Sequence, residues 1–504
     1  MKVISLGMGQ KIFEDQSLVS QRQVEYGRLF DELHIVVFSP DGSLKEKKLA
    51  ENVFLYPTNT RARALYFVDF LRIVKRIIKK IGKDNVVITV QDPFEIGIIG
   101  LILKLFYKLP LQVQVHTDFA NRYFITHSAL NFLRFPIALV VLSFADSVRV
   151  VSERIAKSIY SLSKNITVLP ISQGLPLGNV DPKGRSWERK RPLNILTVCR
   201  LEKEKNIETA IMAFKKVLDE GIQAQFVIVG DGSQKKNLLK LCEDLNISDK
   251  VVFAGWQNNL ENYYKDADIY ISTSLYEGYG ISVVEAAHFG LPLVLSDVGV
   301  ANEFFFDGEE AFILKPKDTD AFARAMIKLS KNPELIKTMG EKARDSVKSR
   351  RISREEYLQK YKINTEEAIT HFKNNKSIFG NILVRYLIAG FSAAGTNIGL
   401  LYIFTDILNI WYLYSSILSF LIAIWVSFFL QKLWTFGDKK VEGVRGQFLK
   451  YMAVAIAGIL INTLSMLLLV DALHLWYILA QIITGGIIAA INFLMYKFFI
   501  FNRS

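Results

Sequence analysis

Asn194-Ile-Leu-Thr-Val-Cys-Arg-Leu-Glu-Lys-Glu-Lys-Asn206 reads as a buried strand that runs straight into a charged turn. The apolar, β-branched run Asn194–Val198 has strand length and composition. Arg200 and Lys205 fall at its exit, and a helical pattern follows. Downstream the same unit recurs at Gln225–Val229, Val251–Ala254, Ile269–Ser272 and Pro292–Leu295. Upstream it recurs at Lys2–Leu6, His34–Ser39, Val53–Tyr56, Val86–Gln91, Leu111–His116 and Ser147–Val151. Strands alternating with helices argue a parallel sheet covered on both faces. The polar stretch Gly178–Pro192 separates the two series and reads as an interdomain linker. The expected fold is therefore α/β, two facing doubly wound domains whose ligands sit at the carboxyl ends of the strands.

The chain has 504 residues, and half of them are hydrophobic (50%). That excess gathers after about residue 380, in four apolar stretches of roughly 20 residues, each long enough to cross a bilayer. Met1–Gly7 reads as a short strand rather than the start of a secretory signal, so the first ~375 residues are expected in the cytosol. Two cysteines, Cys199 and Cys242, suit a reducing compartment and support neither a disulfide framework nor a zinc site. The net charge of +13 comes without a nucleic-acid motif, so it points to an anionic membrane surface and an anionic substrate. Arg61–Lys83 is predicted to be an amphipathic helix suited to such a surface. Arg72, Arg76, Lys79 and Lys83 follow one face, and Leu71, Val74, Ile78 and Ile81 another.

Three further pieces follow the opening stretch in order: Ile228-Val-Gly-Asp-Gly232, Glu277-Gly-Tyr-Gly-Ile-Ser-Val-Val-Glu285 and Ser296-Asp-Val-Gly-Val-Ala-Asn-Glu303. Arg200 and Lys205 at a strand exit can hold a leaving diphosphate without a metal. Gly230, Gly278 and Gly280 let backbone approach a ligand ahead of helix N-termini that favour anions. Glu277 and Glu285 lie about two helical turns apart, so one carboxylate can reach a sugar while the other takes ribose hydroxyls. Asp266-Ala-Asp268 superficially matches a metal-binding pair, but it sits at a helix-to-strand junction and is read as structural.

These four pieces resemble glycosyltransferase family 4, the retaining enzymes of the GT-B fold; the likeness covers roughly residues 1–370 and is strongest over 194–310. The resemblance implies that Arg200 and Lys205 bind the donor diphosphate, Glu277 contacts the transferred sugar and Glu285 binds ribose. It implies that His116 faces the reacting sugar and that Gly9 belongs to a glycine-rich loop after the first strand. Cys199, Asn206 and Val300 stand where the family usually has glycine. No metal or other cofactor is expected.

The tail is a duplication. A shift of 65 positions lays 385–436 on 450–501 without a gap. Tyr386 meets Tyr451, Asn397 meets Asn462, Asp406 meets Asp471, Trp411-Tyr412 meets Trp476-Tyr477, Lys432 meets Lys497 and Phe436 meets Phe501. Two hairpins of like orientation follow, related by a pseudo-two-fold axis along the membrane normal. Asn397 and Asn462 then lie near the bilayer centre, where they either bond across that axis or line a polar path. Lys373, Lys376 and Arg385 precede the first span. Lys432, Lys439, Lys440, Arg445 and Lys450 fall between the hairpins, and Lys497 and Arg503 end the chain. The positive-inside rule places both termini, the central loop and the α/β domains in the cytosol. This segment is similar to the GtrA-like family, four-helix proteins proposed to move polyprenyl-phosphate sugars.

The expected domains are 1–177, 178–350, a returning helix and linker over 351–378, and the membrane domain over 379–504. The expected activity is transfer of a sugar from a nucleotide sugar to a lipid, polyprenyl phosphate or a lipid-linked saccharide. The membrane domain would bind or flip the product. The competing readings are a lipid-sugar flippase with a regulatory α/β half, and a transferase on a plain anchor. Self-association is left open.

Overall fold

The computed structural model describes residues 1–14, 17–40, 42–60, 66–160, 163, 165–170, 192–374, 382–438, 443–466, 484–485, 488–489, 491–493, 495–496 and 500–501. The chain divides into two compact units, Met1–Asn374 and Asn375–Ser504.

The first unit holds two sheets. The first sheet is built from β1 (Lys2–Gly7), β2 (Glu32–Val37), β3 (Lys47–Ala50), β4 (Val53–Pro57), β5 (Val86–Val90), β6 (Leu111–Val115), β7 (Ser147–Val150) and β8 (Ile166–Val168). Its order is β3-β4-β2-β1-β5-β6-β7-β8, parallel except for the β3–β4 pair. The second contains β9 (Leu193–Val198), β10 (Ala224–Val229), β11 (Val251–Gly255), β12 (Ile269–Ser272), β13 (Leu293–Ser296) and β14 (Ala311–Leu314), in the order β11-β10-β9-β12-β13-β14, all parallel.

All the strands read from sequence are present, with ends shifted by a residue or two. The structure adds β3, β8 and β14. β3 opens with two lysines on an antiparallel edge, where half its surface meets water, so it lacks the apolar run of a central strand. β8 has three residues and only half-buried side chains. The linker reading of Gly178–Pro192 lies outside the described residues except for Pro192.

Each sheet is covered by helices whose apolar faces it buries. Ile211, Phe214 and Val217 of the helix Ile207–Asp219 lie with Phe226, Ile228 and Ile195 in one continuous core. The helix Arg354–Asn374 returns to the first sheet. Tyr361 stacks on Tyr26 at 4.3 Å, and Asn364 accepts from Gln112 (2.7 Å) and donates to Ser147 Oγ (2.9 Å). Lys104 and Asp146 form a buried pair at 2.6 Å beneath the first sheet, their side chains 3% and 2% exposed. Desolvation pulls the Lys104 pKa down and the Asp146 pKa up, and each partner opposes the other's shift.

The basic helix is shorter than expected among the described residues, Tyr66–Ile81. Its buried stripe is Phe70, Ile73, Val74, Ile77 and Ile78, whereas Leu71 and Ile81 are only half-buried. The apolar face is thus consumed by the domain core and is not free to enter a membrane. Arg76 pairs with Glu46 and lies over the Tyr56 ring, and Lys83 falls beyond the helix end.

In the second unit the described residues include three helices long and apolar enough to cross a membrane: Arg385–Ile407, Tyr412–Thr435 and Val444–Asn462. Most of the expected fourth span lies outside the described residues. Repeat mates meet in one aromatic cluster that contains Tyr386 with Tyr451 and Phe436 with Phe501. Tyr451 stacks on Tyr496 at 4.7 Å, and Phe436 on Phe501 at 5.3 Å.

Candidate functional site

In the second sheet β9 lies between β10 and β12, so the order reverses there. Loops leaving neighbouring strands at such a point run to opposite sides and open a crevice at the carboxyl ends. The loops after β9 and β12 carry the motif residues. Lys205 Nζ donates to Glu277 Oε1, and Ser274 Oγ donates to the same oxygen at 3.0 Å. Both partners of the ion pair are partly shielded, at 14% and 20% exposure. Arg200 points outward, 66% exposed, and bonds Glu204 at 3.3 Å. The two cations therefore share one loop but have separate carboxylate partners.

The glycines show why the loops need them. A Cβ on Gly230 (φ +136°) would collide with the Cys199 carbonyl oxygen, so this glycine lets β10 turn across the β9 loop. A Cβ on Gly278 would collide with the His116 carbonyl oxygen, so this glycine lets loops from the two halves touch. Gly280 (φ +101°) starts the helix Ile281–His288. Gly9 has open space around it and an ordinary φ of −83°. It is Gly7 whose Cβ would press on Gln91 across β1 and β5, at 2.5 Å.

Two of the three positions that depart from glycine, Asn206 and Val300, have a structural reason. Asn206 has φ +51°, a left-handed position that glycine tolerates best and asparagine next best. Its side chain donates to Thr209 Oγ1 (2.9 Å) and the Thr273 carbonyl (3.1 Å), which ties the β9 and β12 loops. Val300 is buried and is not among the described residues with positive φ; the turn falls on Gly299 (φ +58°) instead. Burial pushes the Cys199 thiol up to about 12 and Cys242 to about 11, so both thiols stay protonated.

Glu285 is half-buried on the helix Ile281–His288 and accepts from Tyr264 Oη at 2.8 Å. Burial raises its pKa, and the Tyr264 bond opposes the rise. Tyr264 was not foreseen; nothing in its local sequence marks it. His116 follows β6, with Nε2 3.3 Å from Gln114 Oε1. Burial, then Arg149 and Arg22, push its pKa down to about 3, so the imidazole is neutral at physiological pH. Two carboxyls at the same sheet edge were also missed. Asp92 caps the Phe94 amide at 2.8 Å and is raised to about 6 by burial; Asp118 is raised by burial too.

The two halves are tied at several points. Glu303 accepts from the Glu153 amide (2.9 Å) and the Arg154 amide (3.1 Å). The Arg154 guanidinium donates to Asp297 (2.6 Å), the Ala301 carbonyl (2.7 Å) and the Gly299 carbonyl (3.3 Å). Lys11 lies 4.6 Å from the Trp256 ring centroid. A cavity of about 550 Å³ also runs between the halves, lined among others by Tyr123, His127, Lys203 and Lys317. Glu202, Lys203 and Asn206 of the β9 loop and Leu275 of the β12 loop line it but Arg200, Lys205, Glu277 and Glu285 do not, so it adjoins the motif crevice without containing those four side chains.

Asp266 ends the helix Glu261–Asp266, and Asp268 Oδ2 accepts from the Asn194 amide at 2.7 Å. Both flank the amino ends of β9 and β12, the opposite edge from the crevice.

In the membrane unit Lys432 is buried and donates to Asp438 (2.8 Å) and Gln447 (2.7 Å). Asn397 and Asn462 line one cavity. Lys497 lies outside the described residues.

Solved structures share the fold of the first unit. Sucrose-phosphate synthase from Thermosynechococcus elongatus aligns over 73% of this chain and 100% of its own, with a TM-score of 0.61 at 19% identity. The Anabaena HepE protein crystallised with UDP and glucose aligns over 73% and 99%, with a TM-score of 0.58 at 16% identity. Paired parallel sheets around a charged switch-point crevice define the GT-B class of glycosyltransferase scaffolds. Family models match over nearly the whole chain: Glycosyltransferase Family 4 over residues 25–170, Glycosyl transferases group 1 over 183–346, and the GtrA/DPMS transmembrane domain over 385–501. The chain thus carries glycosyltransferase family 4 and group 1 domains followed by a GtrA/DPMS transmembrane domain.

Among curated relatives, the N-acetyl-alpha-D-glucosaminyl L-malate synthase of Bacillus anthracis is 31% identical over 30% of this chain and 40% of its own length. The UDP-Gal:alpha-D-GlcNAc-diphosphoundecaprenol alpha-1,3-galactosyltransferase of Escherichia coli is 26% identical over 32% and 39%. The alpha-monoglucosyldiacylglycerol synthase of Streptococcus pneumoniae is 26% identical over 41% and 51%. The matches thus span about two fifths to one half of these relatives.

Proposed function

We propose that this protein transfers a sugar from a nucleotide-sugar donor to a lipid acceptor, polyprenyl phosphate or a lipid-linked saccharide, with the membrane domain holding the lipid product. The observation that carries the reading is the Lys205–Glu277 pair at the β9/β12 switch point, with Gly278 pressed against His116 of the other half. Two of the relatives support a lipid acceptor, one named for a diphosphoundecaprenol-linked sugar and one for a glucosyldiacylglycerol. A fused membrane domain supports it independently.

In the reaction the sugar C1–O bond to the diphosphate breaks and a bond from C1 to an acceptor oxygen forms; a saccharide hydroxyl gives its proton to the leaving diphosphate, and a phosphate acceptor has none to give. Lys205 and Arg200 offset the charge that grows on the leaving diphosphate, Glu277 orients the sugar and Glu285 the ribose. Neutral His116 presents a hydrogen-bonding nitrogen at the reacting carbon without adding charge. The outcome is retention at C1, and no divalent cation is required because two cations serve the diphosphate. The α/β unit and both termini lie in the cytosol, where nucleotide sugars are made, and the protein sits in the cell's inner membrane.

The test is to incubate membranes containing the full chain with a panel of radiolabelled nucleotide sugars, with and without EDTA, and identify the labelled lipid. EDTA-resistant lipid labelling that Lys205→Ala abolishes is the expected result. Absence of any labelled lipid, or strict dependence on Mg²⁺ or Mn²⁺, overturns the reading.

A further inference from the structure

A cavity of about 410 Å³ opens among the spans of the membrane unit. That size falls within the range of small-molecule pockets, about 300–1,000 Å³. Its lining follows the duplication: Ala393 and Gly458, Asn397 and Asn462, Ser427 and Asn492 are repeat mates, and all six line it. Repeat mates thus meet at the cavity, which places it near the pseudo-two-fold axis, and Phe420, Ile424, Tyr451 and Ala455 line it without their mates. A helical rise of about 1.5 Å per residue puts Asn397 roughly 18 Å from Arg385, deep in a hydrocarbon core about 30 Å thick.

The chemistry of the wall is specific. No Asp, Glu, Lys or Arg lines the cavity among the described residues. Its polar groups are three carboxamides, Ser427 and Tyr451, and Tyr451 Oη donates to Ser427 Oγ at 2.7 Å. Asn397 Oδ1 is buried and has no hydrogen-bond partner among the described residues. A buried carbonyl is stabilised by a donor. Phosphate is anionic and chiefly an acceptor at neutral pH, and in this wall its charge would lack a counterion. Sugar hydroxyls both donate and accept, which is what carboxamides match. The small residues Ala393 and Gly458 provide the width.

We infer that this cavity is a binding site for the neutral, hydroxylated sugar head of a glycolipid, held midway through the membrane by Asn397, Asn462 and Asn492. The inference rests on the lipid-linked-saccharide form of the reading above, in which at least one other sugar separates the transferred sugar from the lipid's phosphate, and it names the part of that product that the membrane domain takes.

The test uses the full chain in lipid nanodiscs, irradiated with a diazirine-bearing dodecyl glucoside or, separately, a diazirine-bearing dodecyl phosphate. The glucoside is expected to label the 393–397 and 455–462 peptides, and unlabelled dodecyl glucoside to compete. The Asn397→Leu, Asn462→Leu pair should lower that labelling about tenfold, the factor a single buried hydrogen bond is worth. Asn397→Gln, which keeps the amide, should retain labelling. If the leucine pair fails to fold, Ala394→Trp fills the cavity instead and must abolish labelling. Equal labelling by the phosphate probe, label spread over the lipid-facing surface, or cross-links between two copies of the chain at these peptides overturns the inference. Nucleotide-sugar turnover in the same samples separates the two readings: labelling without turnover counts against the transferase alone, and turnover without labelling against the cavity alone.

Discussion

The β9/β12 crevice and the intramembrane cavity each sit where the topology changes sense, one at a reversal of strand order and the other at a repeat axis. They are furnished in opposite ways. The crevice places a lysine against a glutamate, and a guanidinium in water nearby. The cavity has carboxamides and hydroxyls, with no charged residue among its described lining. Solvent explains the contrast. A charge at the mouth of a crevice keeps much of its hydration and can exchange a carboxylate partner for a phosphate. In hydrocarbon the same charge has neither resource.

The contrast can be broken by mutation. The largest effect is expected at Lys205. Lys205→Ala should cut sugar transfer about 10²–10³-fold, because an oriented charge at a leaving group is worth that much. Initial rates decide it, with a melting curve to confirm folding; a loss under threefold would remove the crevice from the chemistry. Next is a charge placed in the cavity. Asn397→Asp should destabilise the membrane unit by about 2.5–3.5 kcal/mol, the cost of an acidic group at mid-span. Unfolding in detergent measures it, and an indifferent protein would mean that the cavity is already hydrated like the crevice.

Gly278→Ala follows, at about 10²-fold in rate, since the new methyl must push the His116 backbone away and a 1 Å misplacement can cost that much. Gly42→Ala, with open space at its Cβ and no left-handed φ, should leave the rate unchanged. Equal effects would show that the two halves need not touch.

The smallest expected effect is one of pH. The folded-state pKa of His116 lies far below its unfolded value, so its contribution to stability is present above about pH 6.5 and is lost as pH falls toward about 3. Between pH 6.5 and 8 the His116 charge does not change. Rate profiles of the wild type and His116→Gln should therefore have the same shape over that range, differing only in height; an inflection present only in the wild type would mean the imidazole titrates.

Much of this was legible in the sequence because strand periodicity and turn chemistry are local. The β-branched runs located most strands, and the charged exits placed Arg200, Lys205 and Glu277 at carboxyl ends. What escaped was set by distant partners. Gly278 announces a tight approach but not that its neighbour is His116. Tyr264 has no local mark to show that it bonds Glu285. The amphipathic character read over Arg61–Lys83 is found among the described residues over Tyr66–Ile81, yet which apolar stripe is buried depends on the sheet below. Asn492 has Ser427 as its repeat mate, so the like-for-like matching that singled out Asn397 and Asn462 passed over it.

Glu303 and Arg154 together hold the halves by five hydrogen bonds in a small patch. Bonds so clustered share one fulcrum, and a rotation that breaks one strains the rest. A rotation between the halves would therefore be a detent rather than a drift, resting in register until the whole patch lets go. Its seat is the Gly299–Glu303 loop at the end of β13, so a ligand that repositions that loop would act on the catch itself.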